Sequence, residues 1–96
     1  WEALLCANDH TAAELLRSLF REGVRVPEDV RVAGFDDVRY ATLLSRPLTT
    51  IHQPCRDLAT AALRAMLDRL ADPALPPRSH LLTPTLVIRE TCGAYG

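Results

Sequence analysis

Residues 3–7 (Ala-Leu-Leu-Cys-Ala) are a short, unbroken apolar run that stops abruptly at Asn8-Asp9-His10. That junction restricts what the chain can become. An apolar run without polar alternation suits a strand covered on both faces, the kind found in parallel sheets. The polar residues after it favour turns and helix caps. Thr11 and Glu14 stand at the spacing of a capping box and predict a helix over 11–22. Ala12, Leu15, Leu16, Leu19 and Phe20 recur on one face of that helix, and Gly23 is placed to close it in a left-handed cap. The stretch 24–29 is turn-rich around Pro27. The stretch 30–35 (Val-Arg-Val-Ala-Gly-Phe) predicts a second strand ended by Asp36-Asp37. Strand, helix, strand in this order builds a parallel sheet through a right-handed crossover.

The remainder keeps the alternation. Residues 38–46 read as irregular or as a short helix closed by Pro47, and 48–52 as a third strand rich in β-branched residues. Gln53-Pro54 opens a long helix over 54–71, with Pro54 in the first turn, where its missing N–H costs nothing. Ala59, Ala62, Leu63, Met66, Leu67 and Leu70 hold helical spacing along it. A stiff loop over 72–77 follows. Then come two short strand candidates, 81–82 and 86–88, separated by Pro84 and therefore expected at a sheet edge. The class is α/β.

Composition narrows the function classes. With 48% apolar and 24% charged residues in 96, the chain has the make-up of one ordinary globular domain. Its formal charge of −1 is spread without a basic patch, so a dedicated nucleic-acid module is not expected within it. Cys6, Cys55 and Cys92 are odd in number and far apart, which argues against a disulfide framework or zinc site and for a reducing, cytoplasmic setting. No window approaches the ~18 apolar residues of a membrane span. The opening on Trp1 and an apolar run suggests a portion of something longer. No cofactor and no metal is expected: glycine-rich phosphate loops and nucleophile elbows are absent, and His10, His52 and His80 lie at no metal-ligand spacing. Adjacent Asp36 and Asp37 cannot converge as an acid–base pair, so catalysis is not expected either.

Ligands of open parallel sheets bind beyond the carboxyl ends of the strands. Asn8-Asp9 follow the first predicted strand, Asp36-Asp37 the second, and Gln53 the third. Asn and Gln offer donors and acceptors, and ionised Asp only acceptors, a set suited to a polyhydroxylated or purine-like ligand. Each is also an ordinary cap or turn residue, and the residues alone leave both readings open.

The stretches Ala-Leu-Leu-Cys-Ala-Asn-Asp (3–9), Val-Arg-Val-Pro-Glu-Asp-Val-Arg-Val-Ala-Gly-Phe-Asp-Asp (24–37), Arg-Pro-Leu-Thr-Thr-Ile-His-Gln-Pro (46–54) and Leu-Val-Ile-Arg-Glu-Thr-Cys (86–92) resemble the lactose/galactose repressor family in order and spacing. The likeness runs from Ala3 to Cys92. It implies a parallel-sheet, three-layer lobe of the periplasmic-binding-protein-like type I fold, incomplete, with residues 1–96 as the C-terminal portion of an effector-binding and dimerisation domain. In such proteins a small molecule (a sugar, nucleoside or related metabolite) sits between two lobes and alters operator affinity. Operator DNA is then met only through an N-terminal helix-turn-helix outside these residues. Asn8, Asp36 and Gln53 would be this lobe's ligand contacts. Asp37, taken to lie beside Asp36 on extended chain with its side chain on the opposite face, would anchor a following turn. Leu16, Tyr40 and Leu44 would contribute to a homodimer interface. Residues 53–80 would pack on the N-terminal lobe or, without it, on another copy. A periplasmic sugar-binding protein shares the fold and is the alternative.

Overall fold

The computed structural model describes residues 2–94. The chain divides into two compact units: one takes it up to His52 and again from Thr85, the other is Gln53–Pro84.

In the first unit β1 (Ala3–Leu5) pairs in parallel with β2 (Arg31–Ala33), Leu4 opposite Val32. Single parallel bridges, Ala33 with Thr49 and Asp36 with His52, set β2 alongside β3 (Thr50–His52). β3 in turn pairs antiparallel with β4 (Thr85–Val87), Ile51 opposite Leu86. The spatial order is thus β1-β2-β3-β4, and the first three strands point the same way. The regular strands are shorter than the apolar runs predict. Isolated backbone bonds extend them: Cys6 N–H to Ala33 O at 2.8 Å, Gly34 N–H to Thr49 O at 2.9 Å and Asp36 N–H to Ile51 O at 2.9 Å.

The core gathers Cys6, Ala12, Val26, Val30, Val32, Ala41 and Leu48, with Leu4, Leu15, Leu16, Leu19, Val24, Val38 and Leu44 packed on it from outside. Val32 and Leu48 are essentially fully buried, and each contributes about 1.5–3 kcal/mol by leaving water.

α1 (Asp9–Arg21) begins two residues earlier than the capping-box spacing predicts. The cap is Asn8, whose extended backbone (φ −156°, ψ 169°) turns its Oδ1 to accept from Thr11 N–H at 2.8 Å. Thr11 is therefore inside the first turn. Gly23 follows the helix at φ +73°, the left-handed closure its position predicts. Phe20 departs from expectation: it sits in the last turn and is 81% exposed. A short 3₁₀ helix, Arg39–Thr42, occupies the stretch read as irregular or briefly helical. Of the two strand candidates near the end only β4 forms; Leu81 is exposed and unpaired in any strand. β4 is an edge strand directly after Pro84, in keeping with proline's missing donor.

The second unit is α2 (Cys55–Ala71) and the segment after it. Pro54 is its cap residue rather than a first-turn residue. No residue of α2 is buried, and Leu63, Met66, Leu67 and Leu70 are all exposed. Arg78 returns to Asp68 at 3.0 Å, and Asp72 Oδ1 accepts from Ala74 N–H at 3.1 Å. Among the described residues no helix is long and apolar enough to cross a membrane.

Candidate functional site

Because β1, β2 and β3 run the same way, their carboxyl ends share one rim. β1 leads into Asn8 and β2 into Asp36, and β3 ends at His52. Asp9 N–H donates to Phe35 O at 3.0 Å, so the residue after Asn8 is bonded to the residue before Asp36. The first unit therefore brings Asn8 and Asp36 to neighbouring places on the rim, both partly exposed. Asn8 spends Oδ1 on the helix cap, while its Nδ2 group carries two donors. The cap reading and the ligand reading are thus compatible at this residue. Gln53, next after β3 in sequence, is the first residue of the second unit, and its carbonyl accepts from Cys55 N–H at 2.8 Å.

Asp37 corrects the expectation made for it. The backbone is not extended at the aspartate pair: φ is +126° at Asp36 and +59° at Asp37. Positive φ at a non-glycine residue costs on the order of 1–3 kcal/mol and persists only where the surroundings hold it, and alternation of side chains does not apply there. The Asp37 carboxylate does not hold the following turn. Its Oδ1 accepts from Arg89 Nη2 at 2.7 Å, and its Oδ2 lies 2.8 Å from His52 Nδ1. Burial alone would raise this carboxyl. Hydrogen bonds from Arg89 and His52, with the charges of both, outweigh it and hold the group below the ordinary carboxylate range. An ionised carboxylate only accepts, so His52 Nδ1 is the donor. Arg89 is itself fixed, donating through Nη1 to Leu48 O at 2.9 Å and through its backbone N–H to Thr49 Oγ1 at 2.9 Å.

The turn after Asp37 belongs instead to Asp9, which is fully buried at the start of α1. Its Oδ2 accepts from Val38 N–H at 2.9 Å and its Oδ1 from Thr50 Oγ1 at 2.6 Å. Gly34 exists for the same reason: a Cβ there would fall on Asp9 Oδ1 and press on Leu48 Cδ2 at 3.1 Å. Thr50, Arg89 and His52 carry no functional weight in the sequence reading, and Asp9, set there beside Asn8 at the first strand end, is instead buried. The available signal was Gly34 just before the rim, since a glycine at a strand end marks a close approach.

The residues expected at a homodimer interface make none of the side-chain hydrogen bonds described for the rim. Leu16 and Leu44 are partly buried against the core, and Tyr40 is 37% exposed. Beside them α1 and the 3₁₀ helix leave Phe20 and Leu43 mostly uncovered. Leu16, Phe20, Val24, Val26 and Arg46 line a recess of roughly 340 Å³ there. Among the described residues no group of His, Cys, Asp and Glu is arranged to hold a metal ion. Cys6, Cys55 and Cys92 are free thiols, and burial pushes the Cys6 thiol up.

Comparison with known proteins agrees with this geometry. The profile of the periplasmic binding protein-like domain family matches residues 1–92. The chain is 40% identical over 89 residues to the HTH-type transcriptional repressor PurR of Photobacterium profundum, covering 93% of this chain and 27% of that protein. Among solved structures, a putative LacI-family regulator from Sanguibacter keddieii superposes with a TM-score of 0.91 at 39% identity, over 96% of this chain and 36% of that one. A LacI-family regulator from Enterococcus faecium with bound ribose gives a TM-score of 0.87 at 27% identity, over 95% of this chain and 34% of its own. The chain spans about a quarter of the length of the curated relatives it matches. The curated relatives named PurR and ribose operon repressor are transcriptional repressors by name. By its sequence profile over residues 1–92, which its parallel-sheet rim and these likenesses match, the chain belongs to the periplasmic binding protein-like domain family.

Proposed function

We propose that the chain senses a small polar effector, a sugar or nucleoside-like metabolite, within a cytoplasmic transcriptional repressor that works as a homodimer. The observation that carries the reading is the pairing of Asn8 and Asp36 on the carboxyl rim of parallel strands, bonded through Asp9 N–H and Phe35 O. This is where open α/β sheets take their ligands. Asn8 supplies donors through Nδ2 and Asp36 acceptors, and Gln53 joins them as the third contact on the strength of its sequence motif. Leu16, Tyr40 and Leu44, with Phe20 and Leu43, form the homodimer contact. Residues 53–80 are the part that meets an opposite lobe, which suits a helix with no buried residue. Operator DNA is bound by another segment, consistent with the formal charge of −1 here. The repressor names of the relatives favour this over a periplasmic transport role.

The test is calorimetric titration of the encoded protein at full length with a panel of pentoses, hexoses, disaccharides and purine nucleosides. One of them is expected to bind, and Asp36→Ala to weaken it at least tenfold, about 1.4 kcal/mol. Equal affinity in wild type and Asp36→Ala would overturn the reading.

A further inference from the structure

Asp36 and Asp37 are consecutive non-glycine residues at positive φ, at the point where β2 meets the rim. Such a corner persists only where its amides are caught from outside. Three successive amides are caught here. Asp36 N–H donates to Ile51 O at 2.9 Å, Asp37 N–H to Thr50 Oγ1 at 3.3 Å, and Val38 N–H to Asp9 Oδ2 at 2.9 Å. The Thr50 hydroxyl that accepts from Asp37 N–H donates its own hydrogen bond to Asp9 Oδ1 at 2.6 Å. One carboxylate therefore holds both the second and the third amide, one through a hydroxyl relay and one directly. It is completely buried, and Gly34 leaves the space that it fills.

We infer that Asp9 is the positioning residue of the effector rim: through Thr50 Oγ1 and Val38 N–H it clamps the Asp36–Asp37 corner, and so fixes where the Asp36 carboxylate stands. The inference rests on the proposed effector site and adds a residue that does not itself touch ligand. The clamp also joins three elements at one group: Asp9 opens α1, Thr50 opens β3, and Val38 precedes the 3₁₀ helix Arg39–Thr42. The hydroxyl relay needs a side chain that accepts and donates at once, which threonine and serine supply and valine does not.

The experiment follows amide hydrogen exchange residue by residue in the encoded protein, comparing wild type with Thr50→Val, Thr50→Ser and Asp9→Asn. Thr50→Val is expected to speed exchange at Asp37 and Val38 at least tenfold. The Cys6 and Gly34 amides, which bond to Ala33 O and Thr49 O, should keep their wild-type rates, and Thr50→Ser should restore protection. Asp9→Asn should expose Val38 in the same way; should that variant fail to fold, the two Thr50 variants decide alone. Uniform acceleration at all four amides, or none, would overturn the clamp. In parallel, D-ribose affinity is measured in the same proteins. A loss of at least tenfold in Thr50→Val, recovered in Thr50→Ser, supports positioning of the rim. Unchanged affinity with the corner released would overturn the positioning role but leave effector sensing intact. Absence of ribose binding in wild type counts only against ribose as effector, and the exchange results still decide the clamp.

Discussion

Two residues carry more of the local structure than their chemistry advertises. Gly34 is needed because Asp9 occupies the volume a side chain would take. Gly34→Ala forces either the carboxylate or Leu48 to move, an overpacking cost of about 1–3 kcal/mol with added loss at the Asp9 hydrogen bonds. Urea unfolding should show a lower midpoint; an unchanged midpoint would mean that the strand end yields freely. Asp37 gives a pH-dependent test. Its carboxyl is held below its ordinary value by Arg89 and His52 against the opposing effect of burial. The folded protein therefore favours the ionised form. That stabilisation is complete above the unfolded carboxyl pKa of about 3.9 and is lost as pH falls through the lower folded value. Asp37→Asn should cost about 2 kcal/mol near neutrality, the scale of a charge-assisted hydrogen bond. The gap to wild type should stay level down to about pH 5 and then narrow in acid. The depressed Asp29 carboxyl is common to both proteins and cancels in the difference. A gap independent of pH would contradict the assignment.

Elements divide into those a local pattern dictates and those set by distant partners. The strand–helix–strand start was legible because its apolar runs, polar breaks and Gly23 are all local signals. The edge position of β4 was legible from Pro84. The start of α1 was misread because Thr11 and Glu14 imitate a cap that Asn8 makes, and spacing cannot separate the two. The short strands and the failed strand at 81–82 depend on pairing partners far along the chain. The candidate site was legible at Asn8 and Asp36, whose types and strand-end positions advertise hydrogen bonding. It was illegible at Thr50 and Arg89, and at Asp9 only the strand-end position showed and not the buried clamp, because these roles arise from contacts up to 52 residues apart. Phe20 on α1 and Leu43 after the 3₁₀ helix are 81% and 78% exposed. Neither supports the core, so Phe20→Asp with Leu43→Asp should leave the fold of the monomer intact by circular dichroism. Sedimentation at tens of micromolar should show a dimer in wild type and monomer in the double variant. A dimer that survives both changes would remove this face from the interface.

At the scale of the whole molecule, one unit supplies a packed sheet with a polar rim, and the other supplies a helix that buries nothing. None of the 17 residues of α2 is fully buried, and its exposed leucines are the kind of apolar surface that another element covers. The unequal burial of the two units fits a lobe that functions in company, while the chemistry stays on the sheet. The central claim is that effector meets the carboxyl rim of the parallel strands. It is tested most directly by a crystal structure of the encoded protein grown with the sugar or nucleoside it binds most tightly. The account predicts ligand density within hydrogen-bond reach of Asn8 Nδ2 and the Asp36 carboxylate. Density seated elsewhere, for instance in the recess between Phe20 and Arg46, with the rim holding only solvent, would contradict it.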